Sequence, residues 1–535
     1  MSDYDAIIIG AGHNGLVSAL YLARAGWKVL VLERNQAIGG AVQSGEITRP
    51  GFVHDLWSTN QNLFLASPVY QDFKTELTQQ GLNYVRSPNS YCCLFPNGKS
   101  IAVTADRTQT YDRLRQHNVA DANGWAALYQ HSVAFQKALL PLFSRPLPSV
   151  EAGLQLGKAL FQVGPAELVK LSQMLVSSTA DLGKEFFETP ETRTLLSTWG
   201  MEVDFAPDVP GGAMFPLLES FANLETGIHV TQGGAANMPL AIAHLAQSYG
   251  AEIQTGAAVT RIITAGTQAV AVELATGEQV SARRAIIANL TPGVLFGQLL
   301  PKISLPAAIR RAIARYTYGP ATLMVHLALR GKPNWIDAQA QEFAFVHLPA
   351  SVDELSQTYQ DSLKGILPAH PLLIVSQTSV IDPSRTPTVE DQILWIQVRT
   401  LPSTIRGDAM GEIQGTTWDE VGAFYADRVV QILEQYAPGI RGQIRDRVVY
   451  TPGDIERQNP NLVGGDTGGG SHHLRQNFMF RPFANFSNYR MPVKNLFMVG
   501  AATWPGSGTN ATSGYLCTQK LLSSSSSSIF SRKLF

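Results

Sequence analysis

Short apolar runs separated by polar breaks mark a strand, a turn, a helix and a second strand near the N-terminus. Residues Ala6 to Ile9 form a β-branched run that stops at Gly10, as in a strand buried on both faces of a parallel sheet. Apolar residues then recur at three-to-four spacing up to Gly26, which predicts a helix. A second strand is predicted for Lys28 to Leu32, and Glu33 follows it directly.

Two later segments repeat this alternation of strands and helices. A helical pattern ends at Gly250, and strands are predicted around Glu252 to Ile263 and at Ala285 to Ala288. Near the C-terminus, an apolar strand leads into a turn at Gly500 and then into a helix. These segments predict an α/β fold, and the strand, turn, helix and strand at the N-terminus predict a Rossmann-type unit.

The middle of the chain predicts a helical region and a second sheet. Ala134 to Phe187 reads as helices broken by proline and glycine, and no piece reaches the roughly 18 apolar residues that a membrane span needs. The pattern leaves two interpretations open: the helices cover a protein core, or they lie in a membrane interface. Further strands, which would wall a substrate cavity, are predicted at Ala321 to Ala328, Phe343 to Leu348, Leu372 to Thr378 and Ile393 to Val398.

Composition narrows the classes of function. The chain has 535 residues and a formal net charge of −1, so it has no global field to attract nucleic acid. Its three cysteines, Cys92, Cys93 and Cys517, make no CxxC pair, which argues against an NAD–disulfide reductase and against a thiolate zinc site. The apolar run at the start lacks a basic region before it, so we expect no signal peptide and a cytoplasmic or peripheral membrane location.

The glycines after the first strand carry the strongest chemical signal. Gly10, Gly12 and Gly15 form GAGHNG, in which the glycines allow a tight turn, close approach of a pyrophosphate and close packing of helix on strand. The N-terminus of the helix favours an anion. Glu33 lies 18 residues after Gly15, where a carboxylate accepts hydrogen bonds from ribose hydroxyls. We therefore predict a dinucleotide site.

The stretch GAGHNGLVSALYLARAGWKVLVLERNQAIGGAV resembles the N-terminus of the phytoene desaturase and carotene ketolase group within the amine oxidase-like flavoproteins. The resemblance implies non-covalent FAD, whose diphosphate would contact the backbone at Gly39 and Gly40. It also implies that the backbone of Val259 touches the adenine and that the segment after Gly500 runs along the flavin. The cofactor-binding residues expected on this basis are Gly10, Gly12, His13, Asn14, Gly15, Glu33, Arg34, Gly39, Gly40, Ala41, Val42, Val259, Gly500 and Ala501.

The C-terminal region resembles the ketolase-like branch of that group. There a Gly-Asp stretch precedes an Arg-Pro pair, matched here by Gly465-Asp466 and Arg481-Pro482. This chain departs from the commoner pattern at Trp504 and Ser507, which puts substrate choice in doubt more than FAD binding. The adjacent His472 and His473 have no third ligand at a metal spacing, and we predict no metal site.

The resemblance also implies a division into domains. We expect an FAD-binding domain from residues 1–75, 225–300 and 485–535, and a mixed-sheet substrate domain from residues 76–130 and 301–484. Residues 131–224 would form a helical subdomain, and the resemblance favours peripheral membrane contact there, because members with isoprenoid substrates draw them from a bilayer.

The expected function is FAD-dependent desaturation or ketolation of a long apolar isoprenoid of the carotenoid type. No acid–base motif or paired carboxylate emerges from the sequence, and oxidation of a polyene requires mainly positioning and exclusion of water. Candidate walls are Trp57, Trp199, Met201, Phe205, Phe215 and Trp504, and any polar catalytic group would come from His54, Asp55 or Asn60. Three alternatives stay open: an amine oxidase, a flavin-dependent carotene isomerase, and a non-catalytic carotenoid-binding or assembly protein.

Overall fold

The computed structural model describes residues 4–301 and 303–532, with the side chains of 222–224 and 524–532 left aside. Its strands are β1 (Tyr4–Ile9), β2 (Val29–Leu32), β3 (Ser44–Gly45), β4 (His54–Asp55), β5 (Tyr84–Ser87), β6 (Asn89–Leu94), β7 (Ser100–Thr104), β8 (Ile228–Thr231), β9 (Glu252–Gln254), β10 (Val259–Ala265), β11 (Gln268–Leu274), β12 (Gln279–Ala288), β13 (Ala321–Arg330), β14 (Phe345–Leu348), β15 (Ile366–Leu367), β16 (Leu373–Ser376), β17 (Asp391–Leu401), β18 (Gly407–Asp408), β19 (Ile444–Tyr450) and β20 (Leu496–Met498).

The α-helices fall between and around these strands. They are α1 (His13–Arg24), α2 (Asn62–Leu65), α3 (Pro68–Gln79), α4 (Arg107–His117), α5 (Val119–Ala138), α6 (Val150–Val163), α7 (Pro165–Val176), α8 (Thr179–Phe186), α9 (Pro190–Met201), α10 (Met214–Thr226), α11 (Asn237–Ser248), α12 (Pro292–Val294), α13 (Ala307–Ala314), α14 (Val352–Lys364), α15 (Trp418–Tyr436), α16 (Ile440–Gln443), α17 (Pro452–Gln458) and α18 (Thr512–Arg532).

The first sheet has a parallel core in the order β20-β12-β1-β2-β9, and β10 and β11 extend it as an antiparallel meander on β12. The β-branched run of β1 is buried, as expected for a strand covered on both faces. Helices α1, α11 and α18 contribute to the core on one face. The Rossmann-type α/β fold predicted from the sequence is therefore confirmed.

One predicted strand is divided in the structure. The run from Glu252 to Ile263 forms β9, which pairs with β2, and β10, which pairs with β11. The chain turns at Gly256, whose φ is +64°, and its amide donates to the carbonyl of Asn35. The sequence pattern did not reveal this turn, because a single glycine separates two segments that both contain β-branched residues.

The second sheet is mixed, in the order β19-β13-β17-β16-β14-β6-β7, with β14 and β6 parallel and the other neighbours antiparallel. Helix α15 packs on it through a shared apolar core that includes Leu327, Ile396 and Tyr425. All four strands predicted for this part of the chain are present, as β13, β14, β16 and β17. Their apolar runs identified them because both faces of the sheet are covered.

The helices from α4 to α10 enclose a third core around Trp125, Leu128 and Phe221. Helices α6 and α7 are less deeply embedded, and they hold an apolar patch of exposed side chains: Val150, Leu154, Phe161, Val169 and Val176. Among residues 4–301 and 303–532, no helix has both the length and the apolar character needed to cross a bilayer.

A buried arginine ties three separate segments together. Arg385 is 0% exposed and forms ion pairs of 2.8 Å with Asp55 and 3.0 Å with Asp382. Asp55 also accepts hydrogen bonds from Ser44 Oγ and Ala235 N, both at 2.7 Å. The β3–β4 hairpin, the entry to α11 and the loop before β17 therefore share one charged centre.

Replacing Arg385 tests how much this charged centre contributes to the stability of the fold. We expect Arg385→Met to lower the free energy of unfolding by about 3–5 kcal/mol, because it leaves two buried carboxylates without their counter-charge. The exposed Arg457 bridges Asp419 and Asp454 and provides the control, since Arg457→Met removes an ion pair that water already screens. Denaturant titrations that find the two variants equally stable would contradict this role for Arg385.

Candidate active site

A single cavity of about 530 Å³ joins the two sheets. It begins at the carboxyl ends of β1 and β2, passes the loop after β20 and reaches β14, β16 and β17 of the second sheet. In parallel α/β sheets, ligands bind outside the carboxyl ends of the strands. The volume lies within the range of small-molecule sites.

The glycine turn forms one end of the cavity. Gly10 has a φ of +95°, and its amide donates to Leu32 O at 2.8 Å. No side chain caps the start of α1, where Gly12 is the N-cap. A Cβ on Gly15 would lie 2.2 Å from Gly10 O, so this glycine permits the close packing of α1 on β1 without itself lining the cavity.

Glu33 fastens the turn to the tip of β2. Its carboxylate accepts hydrogen bonds from the backbone amides of Ala11 at 2.8 Å and Asn35 at 2.9 Å. Glu33 and Arg34 both line the cavity, as does Val259. The acidic residue thus lies where the spacing predicted it, and it also stabilises the glycine loop.

Gly39 and Gly40 have different roles beside the cavity. Gly40 lines the cavity, and a Cβ there would lie 3.0 Å from the Cα of Gly12. Gly39 does not line it, because its amide donates to Ala11 O at 2.9 Å and braces the turn from behind. Of the fourteen expected cofactor residues, the structure brings all but Gly15 and Gly39 to the cavity surface: Gly10, Gly12, His13, Asn14, Glu33, Arg34, Gly40, Ala41, Val42, Val259, Gly500 and Ala501.

Asn289 is a site residue that the sequence patterns did not reveal. It follows β12, lines the cavity and donates from Nδ2 to Gly10 O at 3.4 Å. A Cβ on Gly12 or Gly500 would come within 2.8 Å or 2.6 Å of this side chain. Its position directly after a predicted parallel strand was the signal that could have identified it.

The loop after β20 is held by the chain's own polar groups. The amide of Gly500 donates to Ser513 Oγ at 3.0 Å, and the amide of Ser507 donates to His472 Nε2 at 3.1 Å. Burial lowers the pKa of His472 well below its ordinary value, so the ring is neutral. Ser507, which departs from the commoner family pattern, therefore has His472 as a hydrogen-bond partner, and both residues line the cavity.

The Gly-Asp and Arg-Pro pairs hold the neighbouring loop. Asp466 accepts hydrogen bonds from the amides of Gly319, Gly468 and Gly470. Arg481 is 0% exposed and donates to backbone carbonyls, including that of Ala501 at 2.8 Å. The hydrogen bonds of Asp466 and Arg481 hold the backbone in place beside the cavity. No group of three or more candidate metal ligands occurs within the described residues.

Four of the six residues that we expected to form the cavity walls do line the cavity. Trp57, Trp199, Phe215 and Trp504 line this cavity, whereas Met201 and Phe205 pack behind it. Asn60 also lines it.

His54 and Asp55, the other polar candidates, lie away from the cavity surface. His54 forms a hydrogen bond with Thr48, and Asp55 forms an ion pair with Arg385. Burial lowers the pKa of His54 to about 3, so its ring is neutral and packs within the fold.

The far end of the cavity is polar, which no sequence pattern indicated. We call the side chains there the polar end: Trp199, Glu202, Glu219, His347, Gln397 and Arg399. Arg399 donates to the backbone carbonyl of Glu202 and, through Nε, to Gln397 Oε1 at 2.7 Å. Glu202 follows α9 and Glu219 lies in α10, and no sequence spacing marked them as a pair.

Burial dominates the electrostatics of the polar end. Burial raises the pKa of Glu202 to about 8, and Arg399 opposes that shift while Glu219 adds to it. Burial likewise raises the pKa of Glu219 to about 7 and lowers the pKa of His347 to about 4. At neutral pH the imidazole is uncharged and the carboxyl groups are largely or partly protonated.

Sequence comparisons identify relatives that match almost the whole chain. The chain is 29% identical to rat (Rattus norvegicus) pyridine nucleotide-disulfide oxidoreductase domain-containing protein 2, over 96% of this chain and 92% of that protein. It is 26% identical to one of the polypeptides of limonene dehydrogenase from Castellaniella defragrans (96% and 93%) and 25% identical to phytoene desaturase of Fusarium fujikuroi (95% and 87%).

A solved structure shares the fold. Cyclohexylamine oxidase from Brevibacterium oxydans superposes with a TM-score of 0.58 at 15% identity, covering 97% of this chain and 98% of that one. The flavin containing amine oxidoreductase family matches residues 15–376, which is more than half of the chain. The expectation of FAD is confirmed, and the chain belongs to the flavin containing amine oxidoreductase family.

Proposed function

We propose that this protein is an FAD-dependent dehydrogenase of an apolar, isoprenoid-type small molecule. The observation that carries the proposal is the continuous cavity, which joins the glycine turn of the first sheet to apolar walls on the second. A cofactor and a substrate held in one such space meet without crossing solvent. Relatives named as a limonene dehydrogenase polypeptide and as a phytoene desaturase support an isoprenoid substrate.

The near end of the cavity suits FAD. We propose that the residues of the glycine turn and of the loop after β20 hold it, with the uncapped start of α1 receiving the diphosphate. Glu33 would receive the ribose hydroxyls, since its carboxylate has acceptor capacity beyond its two backbone bonds. Bound FAD supplies a two-electron acceptor for hydride, while the substrate loses a proton and gains a double bond.

The chain's own part in the reaction is positioning and exclusion of water. Trp504 is 1% exposed and its indole donates to Arg145 O at 2.9 Å, so the ring is fixed. Phe143 packs on it at 5.0 Å, and Phe143 also lines the cavity. A rigid aromatic wall of this kind orients a flat unsaturated chain, and a developing cation on that chain is stabilised by its own conjugation.

Anaerobic bleaching of the flavin tests the proposal directly. We expect limonene, phytoene or β-carotene, supplied in detergent micelles, to reduce the flavin, with a product that has lost hydrogen. Putrescine and cyclohexylamine serve as cationic comparisons. Bleaching by the amines and by none of the isoprenoids would replace the proposal with amine oxidation, and an isomerised product without net bleaching would replace it with isomerisation.

Gly15→Ala tests the cofactor residues. The added Cβ would meet Gly10 O at 2.2 Å, so α1 must move away from β1 and open the turn. We expect FAD affinity to fall by about tenfold or more, since about 1.4 kcal/mol of strain is enough for that factor. Gly157→Ala in α6 is the control, because its Cβ meets nothing within 4 Å. Equal flavin content after dialysis of the two variants would contradict the assignment.

We also propose that the apolar patch on α6 and α7 rests on a lipid bilayer. Leu154 is 70% exposed and Phe161 is 89% exposed. The turn Leu140–Ser144 contacts α6, and its residues Leu140, Phe143 and Ser144 line the cavity. An apolar substrate dissolved in the bilayer would therefore have a short path to the site.

Vesicle binding distinguishes this patch from other exposed apolar side chains. We expect Leu154→Ser/Phe161→Ser to reduce cosedimentation with phosphatidylcholine vesicles by about tenfold or more, because each side chain loses its burial in lipid. Val389→Ser is the control: Val389 is 77% exposed and lies outside the patch. Binding that is unaffected by the double substitution, or equally weakened by the control, would contradict membrane contact at this surface.

A further inference from the structure

Oxidation of an apolar substrate in this cavity releases a proton as well as a hydride. The hydride goes to the flavin, but an apolar wall has no lone pair that could accept the proton. A proton left on the substrate would be a charge in a space from which water is excluded, which is costly. A side chain that lines the cavity must therefore act as the base.

Three carboxyl side chains line the cavity in the described part of the chain: Glu33, Glu202 and Glu219. Glu33 lies at the cofactor end, where two backbone amides already bind its carboxylate. Glu202 and Glu219 lie at the polar end, and both are half-buried, so part of each residue remains accessible. Neither carboxyl group forms a hydrogen bond within the described residues, and the nearest polar neighbour of Glu202 is His347 Nε2 at 3.7 Å.

The histidines of the cavity are less suited to this role. His347 is 1% exposed, so a substrate has almost no access to its ring. His472 is also buried, and its Nε2 already accepts a hydrogen bond from the Ser507 amide. His13 lies at the cofactor end, where it is bonded to Asn14. Burial lowers the pKa of His13 and of His347 to about 4, which makes both rings weak bases.

Two features of the structure favour Glu202 over Glu219. Arg399 donates to the backbone carbonyl of Glu202, which places a guanidinium beside this residue and stabilises its carboxylate form. Glu202 also borders a second pocket of about 20 Å³, which has room for one water molecule and is lined by Asp204. Glu219 does not border that pocket. A proton received by Glu202 therefore lies next to polar space through which it can leave.

We propose that Glu202 is the base that accepts the proton from the substrate. The inference rests on the proposed function, which supplies the apolar substrate and the flavin as hydride acceptor. One C–H bond of the substrate breaks and its electron pair leaves with the hydrogen as hydride. The neighbouring C–H bond gives its proton to a carboxylate oxygen of Glu202, and its electron pair forms the new C=C bond. Glu202 becomes a neutral carboxylic acid.

The groups that face Glu202 come from four elements. Those on β14, β6, β17 and α10 are His347, Tyr91, Cys93, Arg399 and Glu219. Burial raises the pKa values of Tyr91 and Cys93 and lowers that of His347, so these three are uncharged near neutral pH. Arg399 and Glu219 therefore supply the charges that act on Glu202: the first lowers its pKa and the second raises it.

Glu202→Gln tests the inference in a single anaerobic turnover. Each protein is mixed with an isoprenoid that bleaches the wild-type flavin, and flavin absorbance is followed in time. We expect Glu202→Gln to slow bleaching by about 100-fold or more, because the amide accepts no proton, while FAD content stays unchanged. Glu225→Gln is the control, since Glu225 is exposed and lies outside the cavity. Equal rates in the two variants would overturn the inference.

The pH dependence of bleaching separates Glu202 from its neighbour. Only the carboxylate accepts a proton, so we expect the wild-type rate to rise with pH and to level off above about 8, the pKa of Glu202. Glu219→Gln removes a like charge, and we expect it to move this rise to lower pH. A 100-fold loss in Glu219→Gln without one in Glu202→Gln would overturn the assignment to Glu202, as would a rise that persists in Glu202→Gln.

Infrared spectroscopy provides a readout that needs no turnover. A protonated carboxyl group has a C=O stretching band that disappears when the group ionises. We expect the oxidised wild-type holoprotein to lose such a band with a midpoint near pH 8, and we expect this component to be absent from Glu202→Gln and kept in Glu225→Gln. A titration that is unchanged by Glu202→Gln would overturn the inference, because Glu202 would then not change its charge where the base must work.

The readouts separate this inference from the proposed function. Bleaching of the wild-type flavin by an isoprenoid supports the proposed function whichever group accepts the proton. If an isoprenoid bleaches the wild-type and Glu202→Gln proteins at equal rates, the inference alone fails. If no isoprenoid bleaches the wild-type flavin, the proposed function and the inference fail together.

Discussion

Helices α1 and α18, from opposite ends of the sequence, meet beside the glycine turn, and the rest of the site depends on how closely they approach. A Cβ on Gly514 of α18 would lie 2.2 Å from Asn14 O of α1. The Gly514 amide donates to Asn14 Oδ1 at 3.1 Å, so the contact is both tight and directional. Together with the packing of Gly15 against Gly10, it fixes the turn, α1 and α18 as one unit. Substituting Gly514 would separate elements that lie 500 residues apart in sequence.

That unit defines a site with two chemically different ends. Backbone amides, glycines and Glu33 surround the near end, where little side-chain bulk is tolerated. Aromatic walls occupy the middle, and the half-buried Glu202, Glu219 and Arg399 lie at the far end with the buried His347. Burying Glu202 and Glu219 opposes their ionisation, so these groups are retained at an energetic cost. Such a cost is commonly found at functional sites, where recognition of a ligand offsets it.

The sequence predicted those parts of the molecule that local patterns encode. The β-branched run before Gly10, the spacing to Glu33 and the apolar strands of the second sheet each occupy a few consecutive residues. The turn at Gly256 was missed because a single glycine between two segments with β-branched residues resembles an uninterrupted strand. Asn289 marked the end of a predicted strand, but its contact with Gly10 depends on the parallel order of the sheet.

The polar end could not be predicted from the sequence. Its members come from α9, the residue that follows it, α10, β14 and β17, and only the tertiary fold brings them together. An isolated glutamate in a helical pattern most often faces solvent, so neither Glu202 nor Glu219 gave a local signal. His54 and Asp55 are the converse case. Their position in the sequence suggested a catalytic role, but in the structure Asp55 forms a buried ion pair with Arg385.

Binding of FAD by the glycine turn and the loop after β20 is the premise on which every assignment in this cavity rests. Mass spectrometry of the chromophore released from purified, FAD-reconstituted protein is its decisive test, with the absorption spectrum recorded before release. We expect one equivalent of FAD per chain, released intact on denaturation because it is not covalently attached. Protein that stays colourless after incubation with FAD, while keeping its native circular dichroism spectrum, would refute the flavin site.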